Sequence, residues 1–293
     1  LRAMLAERRT RFALWLGDQV YSDSIAGLDI RKQLVEEGTV TDQELLDAYR
    51  HLYRGFFAES GFRALAEELP AYLMWDDHDI VDGWGSVPPA GELDRRLYRA
   101  AEGAFGEYQA LRNPAGALGA AGPFDFSFWY GDVGFHVADL RSERDWEAER
   151  VMGNEGWARL DAFFAEATAR EVPTVFLGLS IPVVHASPSL MRALESMRVN
   201  IGRDVRDRWS VTHFAAERRK LVERIFAWQS ADPRRQVIVL SGDVHVGAAF
   251  SVRPRRGRGH LVQWTSSALA TPSGIQHRVV NRIGTDLVRW GEG

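Results

Sequence analysis

The sequence predicts an α/β protein, with mixed β-sheets covered by helices and a functional site at the carboxyl ends of strands. Two patterns point there: short apolar runs that end in acidic and histidine-bearing words, and segments of helical periodicity between those runs. Composition agrees, since 45% hydrophobic and 26% charged residues over 293 positions describe an ordinary globular chain rather than a disordered one. The length exceeds that of many single domains but suits one covered α/β domain, and residues 1–293 are read as such a domain, without repeats or low-complexity tracts.

Taken in chain order, Phe12 to Leu16 is an apolar run followed by the breaker Gly17, which reads as a buried strand delivering Asp18 into a loop. Thr41-Asp42-Gln43-Glu44 has the form of a capping box opening an amphipathic helix from Leu45 to Phe57. Pro70 to Trp75 is a second strand. Gly91 to Leu111 carries apolar residues at helical spacing, and the small, glycine-rich stretch Asn113 to Gly122 reads as the loop that follows it. Strands are expected at Phe126–Trp129 and Gly134–Asp139, a helix at Trp157–Ala169 and a strand within Thr174–Pro182. Ser187 to Asp207 is polar and weakly periodic, suited to a lid. Phe214 to Trp228 is helical, and Val237 to Leu240 is a further strand. Ala248–Val252 and Leu261–Trp264 flank the basic stretch Arg253 to Gly259, which reads as a solvated hairpin loop. Trp84, Trp129, Trp209 and Trp264 are assigned to core or wall.

Three words stand at strand ends: WLGDQVYSD at 15–23, MWDDHDIVDGW at 74–84 and VLSGDVHVG at 239–247. In covered sheets such loops meet outside the strands' carboxyl ends, so residues distant in sequence can converge. Each word also has a structural reading. Asp18 after Gly17 can cap a helix or turn. Asp76-Asp77-His78-Asp79 is harder to explain structurally, because carboxylates packed around one imidazole repel unless a cation or water relieves them. Asp243-Val244-His245, if extended, points both side chains the same way and favours shared chelation. Carboxylates, a phenol and imidazoles together suit a hard, highly charged metal centre.

As a set these words resemble the metallophosphatase (calcineurin-like phosphoesterase) superfamily, in its alkaline phosphatase D (PhoD)-like branch. The resemblance implies a layered sandwich of mixed sheets and helices. It also implies that Asp18 bridges two metals, that Tyr21 of the Gly17-Asp18-x-x-Tyr21 word is a ligand, and that Asp77 ligates within Trp75–Asp79. Asp243 and His245 become further ligands by the same correspondence, and His78 becomes the catalytic histidine that meets the phosphate and assists the leaving group. Asp79 is a neighbour suited to orient it. The implied metals are Fe3+, favoured by a phenolate ligand, and Ca2+, with Mn2+ or Zn2+ as alternatives.

Weaker matches are Asp139-Leu140-Arg141 with Arg144, and Asp207-Arg208-Trp209. Arg141 is assigned to substrate phosphate, through its planar fork of donors, with an ion pair to Asp139 or a neighbouring acid as the alternative. Two departures from the superfamily pattern carry expectations of their own. Its first metal-binding strand has no counterpart before Phe12, so the sequence is expected to lack an N-terminal portion of the natural protein. A histidine usual after the strand at 174–182 is replaced by Ser180 or a neighbour; His185 is either a loop histidine or a substrate contact.

The reaction implied is metal-dependent hydrolysis of small phosphate esters, mono- or diester, by attack of a metal-bridging hydroxide on phosphorus. Two other classes stand beside it: a non-catalytic metal- or phosphate-binding module, and a metal-free carboxylate hydrolase. The latter leaves Tyr21 and His245 without a role. A formal charge of −4 offers no broad basic field for duplex nucleic acid. No apolar stretch approaches the about 20 residues that span a bilayer. The absence of cysteine excludes a catalytic thiol in this chain.

Overall fold

A computed structural model describes residues 9–22, 40–88, 91–114, 121–185, 206–245 and 247–266. Most of the expected lid at 187–207, and the middle of the 113–122 loop, lie outside the described residues. The chain divides into two compact units, one ending at Phe124 and one beginning at Asp125.

In the first unit, β1 (Ala13–Leu16) and β2 (Ala71–Met74) form a parallel pair in the register Leu16↔Met74. Helix α1 (Asp42–Ala58) starts where its capping box predicts. The Thr41 side chain accepts from the Glu44 N–H, and Glu44 accepts from the Thr41 N–H in return. Its inner face buries Leu45, Tyr49, Leu52 and Tyr53 at the spacing of one helical stripe. Helix α2 (Ser60–Glu68) adds Phe62 and Leu65. Helix α3 (Glu92–Tyr108) presents Ala100, Ala101 and Ala104, small residues that let it lie close, and Arg50 forks onto Glu107 across the α1–α3 seam. Asn113 pairs with both the N–H and the carbonyl of Leu73, giving β2 the partners an edge strand would otherwise lack.

The second unit is a six-stranded mixed sheet in the order β3-β4-β5-β6-β8-β7. Its strands are β3 (Phe126–Tyr130), β4 (Val133–Ala138), β5 (Thr174–Leu179), β6 (Gln236–Ser241), β7 (Ala248–Val252) and β8 (Leu261–Thr265). β4, β5, β6 and β8 run parallel, while β3 and β7 close the edges antiparallel. Helices α4 (Asn154–Ala169) and α5 (Ala215–Ser230) supply the crossovers. They share one core with one face of the sheet: Trp157, Leu160, Phe163, Phe164, Leu221, Val222 and Ile225 pack with Val175, Leu177, Leu179, Val237, Val239 and Leu261.

On the other face Phe128, Phe135 and Phe176 are cross-strand neighbours and stack in a ladder, at 4.7 and 5.0 Å. Strand period explains one departure from expectation. Alternation in β8 turns Leu261, Gln263 and Thr265 into the buried side, so Trp264, assigned to core or wall, is 50% exposed. Trp209 is fully buried, as expected. The segment 253–259 is the loop of the β7–β8 hairpin, with Gly257 at φ 86°.

His136 on β4 is a buried polar residue of the helix-covered face. Its Nδ1 meets the Ser127 Oγ at 2.9 Å, and its ring stacks on Phe163. Burial, helped by the charge of Arg159, lowers its pKa to about 4. The unfolded imidazole protonates near 6.5, so it binds more protons than the folded one between those values. Stability drawn from neutral His136 is therefore complete above about pH 6.5 and is lost as pH falls toward about 4, in total about 3 kcal/mol. The unfolding free energy of the wild type minus that of His136→Gln should fall by about that much between pH 7 and pH 4 in urea titrations. A difference that stays flat would mean that the imidazole protonates in the folded state as it does in water.

Candidate metal centre

Because β1 and β2 are parallel and in register, the loops that follow them leave the first unit's small sheet at the same edge. Gly17 turns there at φ 105°, and a Cβ on it would lie 2.3 Å from the Asp76 Cβ, so only glycine lets the two loops approach. Asp18 follows at φ 58°, a left-handed conformation that aspartate tolerates better than most residues.

A buried carboxylate stitches the loops together. Asp79 Oδ2 accepts from the N–H groups of Asp18 and Asp76 at 2.8 and 2.9 Å. Its Oδ1 accepts from the Val20 N–H at 3.4 Å and the Tyr53 hydroxyl at 3.3 Å. The expected partner of His78 thus serves the opposite loop, because four donors already fill its two oxygens. Ser22 adds two bonds, from its N–H to the His78 carbonyl and from its hydroxyl to the Ile80 carbonyl. Asp77 Oδ2 accepts from the Gly83 N–H at 2.7 Å, which sets that carboxylate's direction. Burial pushes the Asp79 carboxyl up to about 7 against the pull of its backbone donors, and raises the Tyr53 phenol well above its usual range, keeping it a donor.

Carboxylate oxygens of Asp18, Asp76 and Asp77 consequently lie within 4.8 Å of one another. A ring nitrogen of His78 lies within the same distance of oxygens of Asp18 and Asp77. The Tyr21 ring stacks on the imidazole with centroids 4.2 Å apart and planes inclined by 30°. Asp18 Oδ1 is buried and makes no hydrogen bond. Burial first, then the charges of Asp77 and Asp76, push the Asp18 carboxyl well above its ordinary value. An orphaned carboxylate oxygen among like charges, with an imidazole and a phenol beside it, is the donor set a divalent or trivalent cation completes. The residues present fit a metal.

In the second unit, β4, β5 and β6 deliver Asp139–Arg141, Ser180 and Gly242–His245 to one end of the parallel sheet. The third word is not an extended strand end. Asp243 and His245 have φ of 66° and 53°, and the Val244 N–H closes on the Gly242 carbonyl while its side chain is buried. Drawing Val244 into the core takes its neighbours out of the extended conformation. Among the described residues five non-glycine positions have positive φ, and three of them are Asp18, Asp243 and His245. Strain of that kind persists where surrounding structure over-determines it, as at ligand-holding sites.

A profile of the PhoD-like phosphatases matches residues 1–274. The chain belongs to the PhoD-like phosphatase family. An uncharacterized protein of Saccharomyces cerevisiae, YGR266W, is 21% identical over 84% of this chain and 46% of its own length. The solved structure of PhoD superposes with a TM-score of 0.66 at 17% identity, covering 92% of this chain and 53% of that one. Purple acid phosphatase PPD1 from yellow lupin (Lupinus luteus) seeds aligns at a TM-score of 0.43 and 14% identity, over 90% of this chain and 46% of that one. The chain thus spans about half the length of these relatives. Its fold is the mixed α/β PhoD-like metallophosphatase fold.

The PhoD-like pattern led to Asp18, Tyr21, Asp77 and His78, and the structure brings these four together in the first unit. It led past Asp76, which lies in the same acidic run and whose carboxylate joins the cluster. Tyr53 carried no signal, since it reads as one more core residue on the inner stripe of α1. Ser180, where the superfamily pattern usually has histidine, is fully buried at the end of β5, with an Oγ that makes no hydrogen bond.

Arg141 is where the structure departs furthest from the favoured reading. Its guanidinium is 0% exposed and closes on both oxygens of Asp207 at 2.6 Å, with Arg144 on the same carboxylate at 3.2 Å. The alternative ion pair is what the geometry shows, with Asp207 as the acid; Asp139 instead takes the backbone N–H groups of Arg141 and Ser142. The arginines beside Asp207 hold its carboxyl below the usual range although burial opposes them. Asp207→Asn would leave buried guanidinium charge uncompensated, and should lower unfolding free energy by about 3–5 kcal/mol in denaturant titrations. A loss below about 1 kcal/mol would mean that the pair is dispensable to the fold.

Proposed function

We propose that this PhoD-like chain is a metal-dependent phosphoesterase acting on small phosphate mono- or diesters, with residues 1–274 within its catalytic domain. One observation carries the reading: carboxylate oxygens of Asp18, Asp76 and Asp77 lie within 4.8 Å of one another, a ring nitrogen of His78 lies within that distance of Asp18 and Asp77, and one Asp18 oxygen is buried and makes no hydrogen bond. Asp18, Tyr21 and Asp77 are the proposed ligands in the first unit, with Asp76 added by its position, and Asp243 and His245 are the proposed ligands in the second. Carboxylate and phenolate donors favour hard ions, so Fe3+ and Ca2+ are the preferred pair, with Mn2+ or Zn2+ as substitutes. When bound, such ions supply Lewis-acid charge that screens the phosphoryl oxygens and eases ionisation of water.

The chain's own groups set the geometry around that charge. Three carboxylates leave little room for a second anion unless it is matched by cations, which selects phosphate esters only in the loaded site. His78 is the group able to hold a proton for the leaving oxygen. Stacking on Tyr21 fixes the plane of its ring, so the proton is offered in one direction. Arg141 is given no substrate contact, because its fork is engaged with Asp207.

Elemental analysis of the purified full chain, beside p-nitrophenyl phosphate and bis-p-nitrophenyl phosphate assays before and after chelation, tests the proposal. Bound metal with chelator-sensitive release is expected; release that survives metal removal would exclude it, and metal without release would leave a binding module. His78→Ala should lower kcat by about two to four orders of magnitude with metal content retained. Asp18→Asn should lose both metal and activity, and full metal occupancy in that variant would reduce Asp18 to a turn residue.

A further inference from the structure

We infer that Tyr53 and Asp79 form a positioning pair that holds the Asp18 loop against the Asp77 loop, so that a core residue of α1 governs the affinity of the candidate metal site. This rests on the phosphoesterase reading for its consequence, but the pair itself rests on geometry within the first unit. Among the described residues, every hydrogen bond that Asp79 accepts comes from the two loops or from Tyr53, with Asp18 and Asp76 on Oδ2 and Val20 and Tyr53 on Oδ1, and none comes from the His78 side chain. Both Asp79 and Tyr53 are fully buried.

The bond to the Asp18 amide acts where the backbone is least comfortable. Gly17 and Asp18 both lie at positive φ, and nothing in their intrinsic preference keeps Asp18 there. The same carboxylate oxygen also holds the Asp76 amide, so one atom sets the spacing of the two chains that carry Asp18 and Asp76. Tyr53 reaches the second oxygen from a helix that is itself anchored by its capping box and by the Arg50–Glu107 pair. Its hydroxyl fixes the plane of the Asp79 carboxylate, and thereby how the other oxygen meets the two loop amides. Carboxylates that must stand together despite their charge need such a rigid frame; without it they separate and the ligand geometry relaxes.

Tyr49 provides a matched control. It lies one turn earlier on α1, is equally buried, and donates its hydroxyl to the Ile80 carbonyl rather than to Asp79. Tyr49→Phe, Tyr53→Phe and Asp79→Asn should be compared by two readouts. Amide hydrogen exchange in the chelator-treated full chain reports the frame without metal. There Tyr53→Phe should speed exchange at Asp18 and Asp76 by about tenfold, the factor that one hydrogen bond is worth, and Asp79→Asn by more. Calorimetric titration with Mn2+ reports the consequence, with a fall in affinity of about fivefold or more expected for Tyr53→Phe and little change for Tyr49→Phe.

Unchanged exchange at Asp18 and Asp76 in both Tyr53→Phe and Asp79→Asn would overturn the pair. Equal loss of Mn2+ affinity in the two tyrosine variants would also overturn it, by showing general loosening of α1. Wild-type protein that takes up no Mn2+ while the exchange differences hold would sink the metal reading and leave the positioning pair standing.

Discussion

Carboxylates of like charge held within 4.8 Å of one another are the constraint on which the first unit turns. Two unit charges at that range repel by on the order of 3 kcal/mol at an effective dielectric of about 20. The chain holds them by three local devices: a glycine where two loops touch, a buried carboxylate that gathers backbone amides, and an aromatic core. Trp15 meets Phe56 and Phe62 edge-on, while Trp75 stacks on Phe105 and meets Phe124 edge-on, so each strand that carries a loop is anchored at its root. Dry walls also strengthen every electrostatic term between the carboxylates.

The second unit solves a related problem with different parts. Its parallel strands need cover, and α4 and α5 give it through one continuous apolar cluster. Polar chemistry is thereby displaced to the strand ends, where Arg141 and Arg144 meet Asp207. That network ties the loop after β4 to the segment entering α5, and Glu217 at the start of α5 receives the N–H groups of Val151 and Met152 and the indole of Trp157. At Asp207 buried charge is paired charge, whereas at the loops after β1 and β2 carboxylates are brought together and Asp18 keeps a buried oxygen that makes no hydrogen bond.

Family membership and local geometry contribute different things to the functional reading. The PhoD-like match names a class of chemistry, and the yeast relative adds no activity of its own. The orphaned oxygen on Asp18, its raised proton affinity and the Tyr21–His78 stack are properties of this chain and bear on metal binding whatever its relatives do.

Sequence alone determined most of the elements and the local chemistry of the words. Periodicity placed α1, α3, α4 and α5 to within a few residues, because amphipathic stripes and caps are local codes, as the Thr41–Glu44 box shows, while the short α2 was not among the expected helices. Apolar runs ending in Gly-Asp marked strand ends, and the acidic run at 76–79 marked charge that needs relief. What only tertiary structure decided were pairings between distant residues. Arg141 finds Asp207 across 66 positions, Asp79 takes its donors from Asp18 and Val20 rather than serving its neighbour His78, and Val244 is drawn into the core so that Asp243 and His245 turn left-handed. A guanidinium or carboxylate looks the same in sequence whichever partner it meets. Its role follows from which other charges and amides the fold brings within hydrogen-bonding distance, and that depends on packing over the whole unit.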